Sequence, residues 1–109
     1  MELASKKSGD SLTVSMTGEL DHHSAGEVRR KIDELLGDQR IKKLVLDMRG
    51  VTFMDSSGLG VVLGRYRQMT ERLGSMQIRG ASKCCERIMK MAGIYSLVEQ
   101  EVRGGALDV

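Results

Sequence analysis

The sequence predicts an α/β domain in which helices cover a mixed β-sheet. The apolar residues switch several times between a period of two and a helical period, and the two kinds of segment alternate along the chain. A chain of 109 residues can bury one core but not two independent ones. We therefore expect a single domain over residues 1–109, with its core at about residues 10–101 and with frayed termini.

The first elements predicted are a half-buried strand and a helix. Apolar residues that alternate with polar ones indicate the strand, and Gly18 is expected to end it. Its buried residues would be Leu12, Val14 and Met16. The helix is predicted to begin with a capping box formed by Ser24 and Glu27 and to end at Gly37. Its buried face would consist of Val28, Ile32, Leu35 and Leu36.

A central strand and a second helix are predicted next. The apolar run Leu44-Val45-Leu46 is typical of a strand covered on both faces, and a turn is expected at Arg49-Gly50. Residues 51–54 then lead into a helix that Gly74 would stop. The buried side of this helix is predicted to contain Leu59, Val62, Leu63, Tyr66 and Met69. Its solvated face would carry Arg65, Arg67 and Arg72.

The last elements predicted are a strand at residues 76–79, a helix, and a short strand at residues 97–101. Ser82 can cap the helix and Gly93 can end it. Its buried stripe would be Cys85, Ile88, Met89 and Ala92. Because Cys84 and Cys85 are adjacent, they suit neither an ordinary disulfide nor a zinc site, and we expect reduced thiols. Residues 104–109 are expected to be frayed or loosely docked.

Composition and charge weigh against several classes of partner. The net charge is +2, the acidic and basic residues are interleaved, and one Phe and two Tyr offer almost nothing to stack on bases. No apolar run approaches the roughly 20 residues of a membrane span, and the first residues lack the apolar core of a signal peptide. We expect a cytoplasmic protein, monomeric when free, that binds neither nucleic acid nor membrane.

The most informative motif is Asp55-Ser56-Ser57-Gly58-Leu59-Gly60, at the junction of an extended segment and a helix. The free N–H groups and the positive dipole end of a helix N-terminus favour an anion. The two hydroxyls can therefore attack a substrate, contact the phosphate of a ligand, or receive a phosphate. The two glycines would leave room for another protein to approach the hydroxyls. Helix capping alone is the simpler alternative.

Spacing weighs against a nucleotide site or a serine hydrolase. The motif fails the Gly-x-Gly-x-x-Gly pattern, because Leu63 stands where the third glycine is needed and Gly64 comes one place late. The chain has no Gly-Lys-Ser or Gly-Lys-Thr, as a P-loop requires. Neither Ser56 nor Ser57 lies in a Gly-x-Ser-x-Gly nucleophile elbow.

Asp21, His22 and His23 offer a base and an orienting carboxylate, and Asp55 offers a second carboxylate. A domain this small, with few aromatic residues, has little material for a catalytic pocket. Three neighbouring side chains also rarely converge on one metal ion. We therefore expect neither catalytic residues nor a metal site.

Two motifs closely resemble those of the anti-sigma factor antagonists of the STAS fold. They are Gly-Glu-Leu-Asp-His-His-Ser-Ala at residues 18–25 and Phe-Met-Asp-Ser-Ser-Gly-Leu-Gly-Val-Val-Leu-Gly-Arg-Tyr at residues 53–66. The Asp-His-His and Leu-Gly-Arg-Tyr parts favour the sporulation antagonists that release sigma-F over the stress-response antagonists. The resemblance extends from about residue 12 to residue 98.

This resemblance implies a STAS-like domain with a mixed four- or five-stranded sheet, about four helices, and a regulatory function without catalysis. An unphosphorylated antagonist of this family binds an anti-sigma factor that is also a serine kinase, and so frees the sigma factor. The kinase uses its own ATP and magnesium to phosphorylate the antagonist, which needs no cofactor, and a serine phosphatase reverses the modification. The aligned motif places the phosphate acceptor at Ser56 and gives Ser57 a supporting role in the turn.

The resemblance also implies which residues contact the partner. They are Asp21, His22, His23, Asp55, Ser56, Ser57, Gly58, Leu59 and Gly60. A phosphate within this surface would lie near acidic groups, and the resulting repulsion and bulk would end binding. The alternative is a STAS-type domain that senses a small ligand or serves as a subunit of a larger signalling assembly.

Overall fold

A computed structural model describes residues 1–100 of the chain, with side chains described for residues 1–98. Its elements alternate between strands and helices as expected. The strands are β1 (Glu2–Ser8), β2 (Ser11–Leu20), β3 (Lys43–Met54), β4 (Ser75–Arg79) and β5 (Glu99–Gln100). The helices are α1 (Ala25–Leu35), α2 (Ser56–Glu71), α3 (Lys83–Met91) and a 3₁₀ turn at Ile94–Ser96. No helix in this part of the chain is long and apolar enough to cross a membrane.

The described strands form one sheet in the order β1-β2-β3-β4-β5. β1 and β2 are antiparallel and are joined at Gly9, whose φ of 60° suits glycine, while the other neighbouring strands are parallel. The predicted α/β fold with a mixed sheet is therefore confirmed. Within residues 1–100, three α-helices and a 3₁₀ turn are found where about four helices were expected.

The three α-helices pack on one face of the sheet. Their buried residues belong to the same apolar cluster as alternate residues of the strands. The strand members include Leu12, Val14, Met16, Leu44, Leu46, Met48, Met76 and Ile78. Val45 is also buried but points to the opposite face and lies outside this cluster. Leu44, Val45 and Leu46 are all buried, so the strand is covered on both faces at these residues as predicted, although the helices pack on one face only.

Three boundaries in the first half of the chain differ from the sequence predictions. The first residues were expected to be frayed, but they form the edge strand β1, in which only Leu3 is partly buried. Gly18 does not end β2, which continues to Leu20 with an irregular register after Gly18. Arg49-Gly50 is not a turn but part of β3. Gly50 lies so close to β2 that a Cβ would come within 2.7 Å of the Met16 carbonyl oxygen.

The ends of α1 and α3 agree only in part with prediction. Ser24 lies at the N-cap of α1, but its hydroxyl does not cap the helix, so the predicted capping box is wrong. The Ser82 hydroxyl accepts a hydrogen bond from the Cys85 amide and caps α3 as predicted. Gly93, with a φ of 76°, follows the helix end, and Ala92 is exposed because the helix stops at Met91.

The two cysteines are free, with Cys85 buried and Cys84 exposed, as expected. The last strand was predicted over residues 97–101, of which the described part forms β5. The expected frayed tail at residues 104–109 lies outside the described residues.

The arginines of α2 do not form one solvated face. Arg67 is exposed, but Arg65 is buried and lies 3.3 Å from Asp33 Oδ1 of α1. Burial lowers the pKa of Arg65, and the Asp33 carboxylate acts against this effect. The Arg72 guanidinium donates hydrogen bonds to three backbone carbonyls, at 2.7 Å to Leu36 and 3.3 Å to both Asp38 and Ile41. Arg72 therefore fastens the α1–β3 connection to the end of α2.

Replacing Arg72 by alanine should destabilise the domain. The variant leaves several carbonyls without a charged donor, and we expect the free energy of unfolding to fall by about 2 kcal/mol. Urea unfolding monitored by circular dichroism measures this change. Arg67→Ala is the matched control, because Arg67 is exposed on the same helix. Equal stability of the two variants would contradict the role given to Arg72.

Gly58 marks the close approach of α2 to the end of β2. A Cβ at this position would collide with the Leu20 carbonyl oxygen and come within 2.7 Å of Met54 Cγ. Gly64 lies in the same helix and has nothing within 4 Å of its Cβ position. The two glycines therefore differ in their surroundings although they share one helix.

We expect Gly58→Ala to lower the free energy of unfolding by about 1–3 kcal/mol, because the backbone of α2 must shift away from the sheet. Gly64→Ala should instead raise it by about 0.5–1 kcal/mol, since alanine is the better helix former. Thermal and urea unfolding of both variants test the contrast. Stabilisation by both substitutions would show that α2 has room at Gly58.

Candidate functional site

Two chain segments meet at the carboxyl ends of β2 and β3. These strands are parallel neighbours, and Leu20 pairs with Met54 at their ends. The residues that follow each strand must therefore lie at the same edge of the sheet. After β2 comes the loop Asp21-His22-His23-Ser24, which leads into α1, and after β3 comes Asp55, which leads into α2.

The Asp55 carboxylate joins the two segments. Its Oδ1 accepts hydrogen bonds from the backbone amides of Ser57 at 2.9 Å and Gly58 at 3.1 Å. Its Oδ2 accepts a hydrogen bond of 3.1 Å from the backbone amide of His22. Asp55 is thus the N-cap of α2, in extended conformation, and also holds the β2–α1 loop.

Asp21 organises the loop that contains the two histidines. Its Oδ1 accepts hydrogen bonds from the amides of His23 at 2.9 Å and Ser24 at 3.2 Å. Burial acts to raise the pKa of Asp21, but the hydrogen bonds from His23 and Ser24 outweigh it, so the pKa lies below its usual value. The Ser24 hydroxyl donates to the Glu19 carbonyl at 2.7 Å and closes the loop from the other side.

His22 and His23 project outward from this loop. Both residues are exposed, and their rings meet edge to face with centroids 4.6 Å apart. His23 Nδ1 lies 3.9 Å from Asp21 Oδ2. Among the described residues, no three His, Cys, Asp or Glu side chains are grouped as a metal site requires.

Ser56 is the first residue of α2 and is exposed, whereas Ser57 is half-buried. Leu59 is partly buried and packs against the core. Gly60 is exposed and has nothing within 4 Å of its Cβ position. Both Gly58 and Gly60 were expected to clear a path to the hydroxyls. Only Gly60 can do so, because Gly58 is buried against β2.

Phe53 was not predicted to be a surface residue. Its side chain is 44% exposed, which is unusual for the only phenylalanine of the chain. It pairs with Glu19 in the sheet, two residues before Asp55. Strand alternation could not have indicated this exposure, because Val51 and Met54 are both buried while Thr52 and Phe53 between them are exposed.

The site is therefore a surface and not a deep pocket. It combines an exposed serine at a helix start, a rigid acidic and histidine-bearing loop, and an exposed aromatic ring. Such a surface suits recognition by another protein.

Comparison with known proteins places this surface in a family. The STAS domain model matches residues 2–103. The anti-sigma F factor antagonist of Paenibacillus polymyxa is 37% identical over 87 residues, which covers 80% of this chain and 74% of that protein. The anti-sigma-B factor antagonist of Bacillus subtilis (strain 168) is 27% identical over 94 residues, 86% of this chain and 84% of that protein.

A solved structure has the same fold. The anti-sigma factor antagonist SpoIIAA in its unphosphorylated form superposes with a TM-score of 0.80 at 24% identity, and the match covers 98% of this chain and 94% of that chain. The chain therefore belongs to the STAS-domain family and, within it, to the anti-sigma factor antagonists, which are regulatory proteins and not enzymes.

Proposed function

We propose that this chain, when unphosphorylated, binds a cytoplasmic anti-sigma factor that is also a serine kinase, of the anti-sigma-F type, and thereby releases sigma-F. The kinase ends the interaction by phosphorylating Ser56, and a serine phosphatase restores it. The free antagonist acts as a monomer. The observation that carries this proposal is the exposed hydroxyl of Ser56 at the start of α2, beside the loop that Asp55 holds.

Ser56 is better suited than Ser57 to receive a phosphate. It is exposed, whereas Ser57 is half-buried and its amide is engaged by Asp55. Gly60 lies one helical turn after Ser56 and presents no side chain that would obstruct a kinase. The acceptor is therefore rigidly placed and accessible.

Electrostatics explains how a phosphate can end binding. A phosphoserine adds about −1.5 to −2 charges at neutral pH. The amides of Ser57 and Gly58 at the helix start already donate to Asp55. The phosphate must compete with this carboxylate for the same donors or lie beside it, and in both cases like charges meet. The surface becomes strongly anionic while the core, which does not include Ser56, stays intact.

The choice of the sigma-F branch rests on sequence similarity. The sigma-F relative is 37% identical and the sigma-B relative 27%. The Asp-His-His sequence of the β2–α1 loop lies on the proposed contact surface, where differences between branches would affect partner choice.

Incubation with an anti-sigma-F kinase and ATP should add one phosphate to the chain. Intact mass spectrometry measures the gain, and Ser56→Ala should abolish it while Ser57→Ala retains it. Phosphate on Ser56→Ala would refute the assignment of the acceptor. No gain with either an anti-sigma-F or an anti-sigma-B kinase would favour the alternative of a ligand-sensing or scaffold domain.

Two substitutions of Asp55 should separate its roles. Asn caps helices as well as Asp, so Asp55→Asn should keep stability within about 0.5 kcal/mol. It cannot accept the His22 hydrogen bond while its one carbonyl oxygen caps α2, so partner binding should weaken. Asp55→Ala loses both contacts and should also lose about 1 kcal/mol of stability. Urea unfolding measures the change in stability, and calorimetric titration with the kinase and ADP measures the change in binding. If Asp55→Asn bound the kinase as tightly as the wild-type protein, the hydrogen bond to His22 would not be needed for partner binding.

A further inference from the structure

A second surface lies on the sheet face that points away from the helices. Val45 and Asp47 project to this face, because Leu44 and Leu46 face the core. The pairing of β2 and β3 brings Thr13 beside Val45 on the same face. No described helix packs there. Side chains of β1, β2, β3 and β4 border an open depression of about 440 Å³.

The depression, which we call the polar face, has small hydroxyls and cationic groups. The residues that matter for its chemistry are Lys6, Ser11, Thr13, Asp47, Arg49 and Arg79. Among these described residues, three are basic and one is acidic. The polar face lies along the first half of β2 and the middle of β3, away from the Ser56 surface at their carboxyl ends.

Arg49 and Asp47 form a fixed pair in this depression. Arg49 donates from Nη2 to Asp47 Oδ2 at 2.7 Å and from Nε to Oδ1 at 3.0 Å. The Asp47 side chain is only 7% exposed, whereas that of Arg49 is 70% exposed. The hydrogen bonds from Arg49 hold the pKa of Asp47 below its usual value. The Asp47 carboxylate therefore lies beneath the Arg49 guanidinium, which is the group of this pair that a ligand would contact at the surface.

Gly80 fixes Arg49 from the other side. Its φ is 71°, and a Cβ at this position would collide with Cγ of Arg49. The stem of Arg49 thus lies against the backbone at Gly80 while its guanidinium is held by Asp47. A guanidinium positioned before binding loses less conformational entropy when it binds an anion.

These groups define the chemical class of a ligand. Guanidinium and ammonium groups bind phosphate oxygens, and serine and threonine hydroxyls can both donate to and accept from the hydroxyls of a sugar. Among the residues that the structure describes, no aromatic side chain borders the depression, so these residues offer no surface on which a base can stack. Its volume lies in the usual range for small-molecule sites. We propose that the polar face binds a small sugar phosphate, with Lys6, Arg49 and Arg79 toward the phosphate and Ser11 and Thr13 toward the sugar.

Ribose 5-phosphate is a suitable probe for this site. In a titration of the ¹⁵N-labelled full chain, we expect saturable amide shifts at Thr13, Asp47 and neighbouring residues, with millimolar affinity. Inorganic phosphate should shift the same residues more weakly, and ribose should not shift them. Lys6→Gln should weaken binding severalfold. Lys90→Gln, which removes an exposed charge from α3, should leave it unchanged.

Several results would overturn the proposal. One is the absence of saturable shifts. Another is a set of shifts confined to residues 55–60, which would indicate that the phosphate binds only at the N-terminus of α2. Equal weakening by Lys6→Gln and Lys90→Gln would indicate unspecific charge attraction. Binding that requires removal of residues 101–109 would identify this segment as the occupant. The phosphorylation of Ser56 is measured separately, so failure here leaves the proposed function untouched.

Discussion

The candidate functional site depends on one carboxylate with two oxygens. Asp55 gives one oxygen to the first turn of α2 and the other to the backbone of the loop after β2. The arrangement is possible only because β2 and β3 end in register and because Gly58 lets α2 approach the sheet closely. The position of Ser56 relative to the histidine loop follows from these contacts.

Much of the fold could be predicted because its signals are local. The period of the apolar residues identified β2, the three helices and β4, and residue type identified the caps Asp55 and Ser82, since each signal lies within a few residues of the element that it shapes. β1 was not predicted, because an edge strand with only one partly buried residue lacks the apolar alternation that indicates a strand. Arg72 was misjudged because its partner at Leu36 lies 36 residues away, and sequence patterns do not show such contacts.

Only part of the candidate site could be predicted from the sequence. Residue type alone indicated that Asp55 caps a helix, and the family resemblance singled out Ser56. The hydrogen bond from the His22 amide to Asp55 could not be predicted from sequence patterns, because the two residues lie 33 positions apart. They meet only through the register of β2 and β3. Gly58 could not be distinguished from Gly60 by sequence either. The structure shows that Gly58 is tightly packed against β2, whereas Gly60 has open space at its Cβ position.

His22 and His23 are bound to the scaffold through backbone amides, to Asp55 and Asp21, while their rings are exposed. Substitution of these two side chains can therefore change the chemistry of the loop surface without moving the loop backbone. If His22 and His23 contact the kinase as proposed, drift at these two positions after gene duplication would let two antagonists in one cell discriminate between kinases. Separate signalling routes would then require few substitutions and no change of fold.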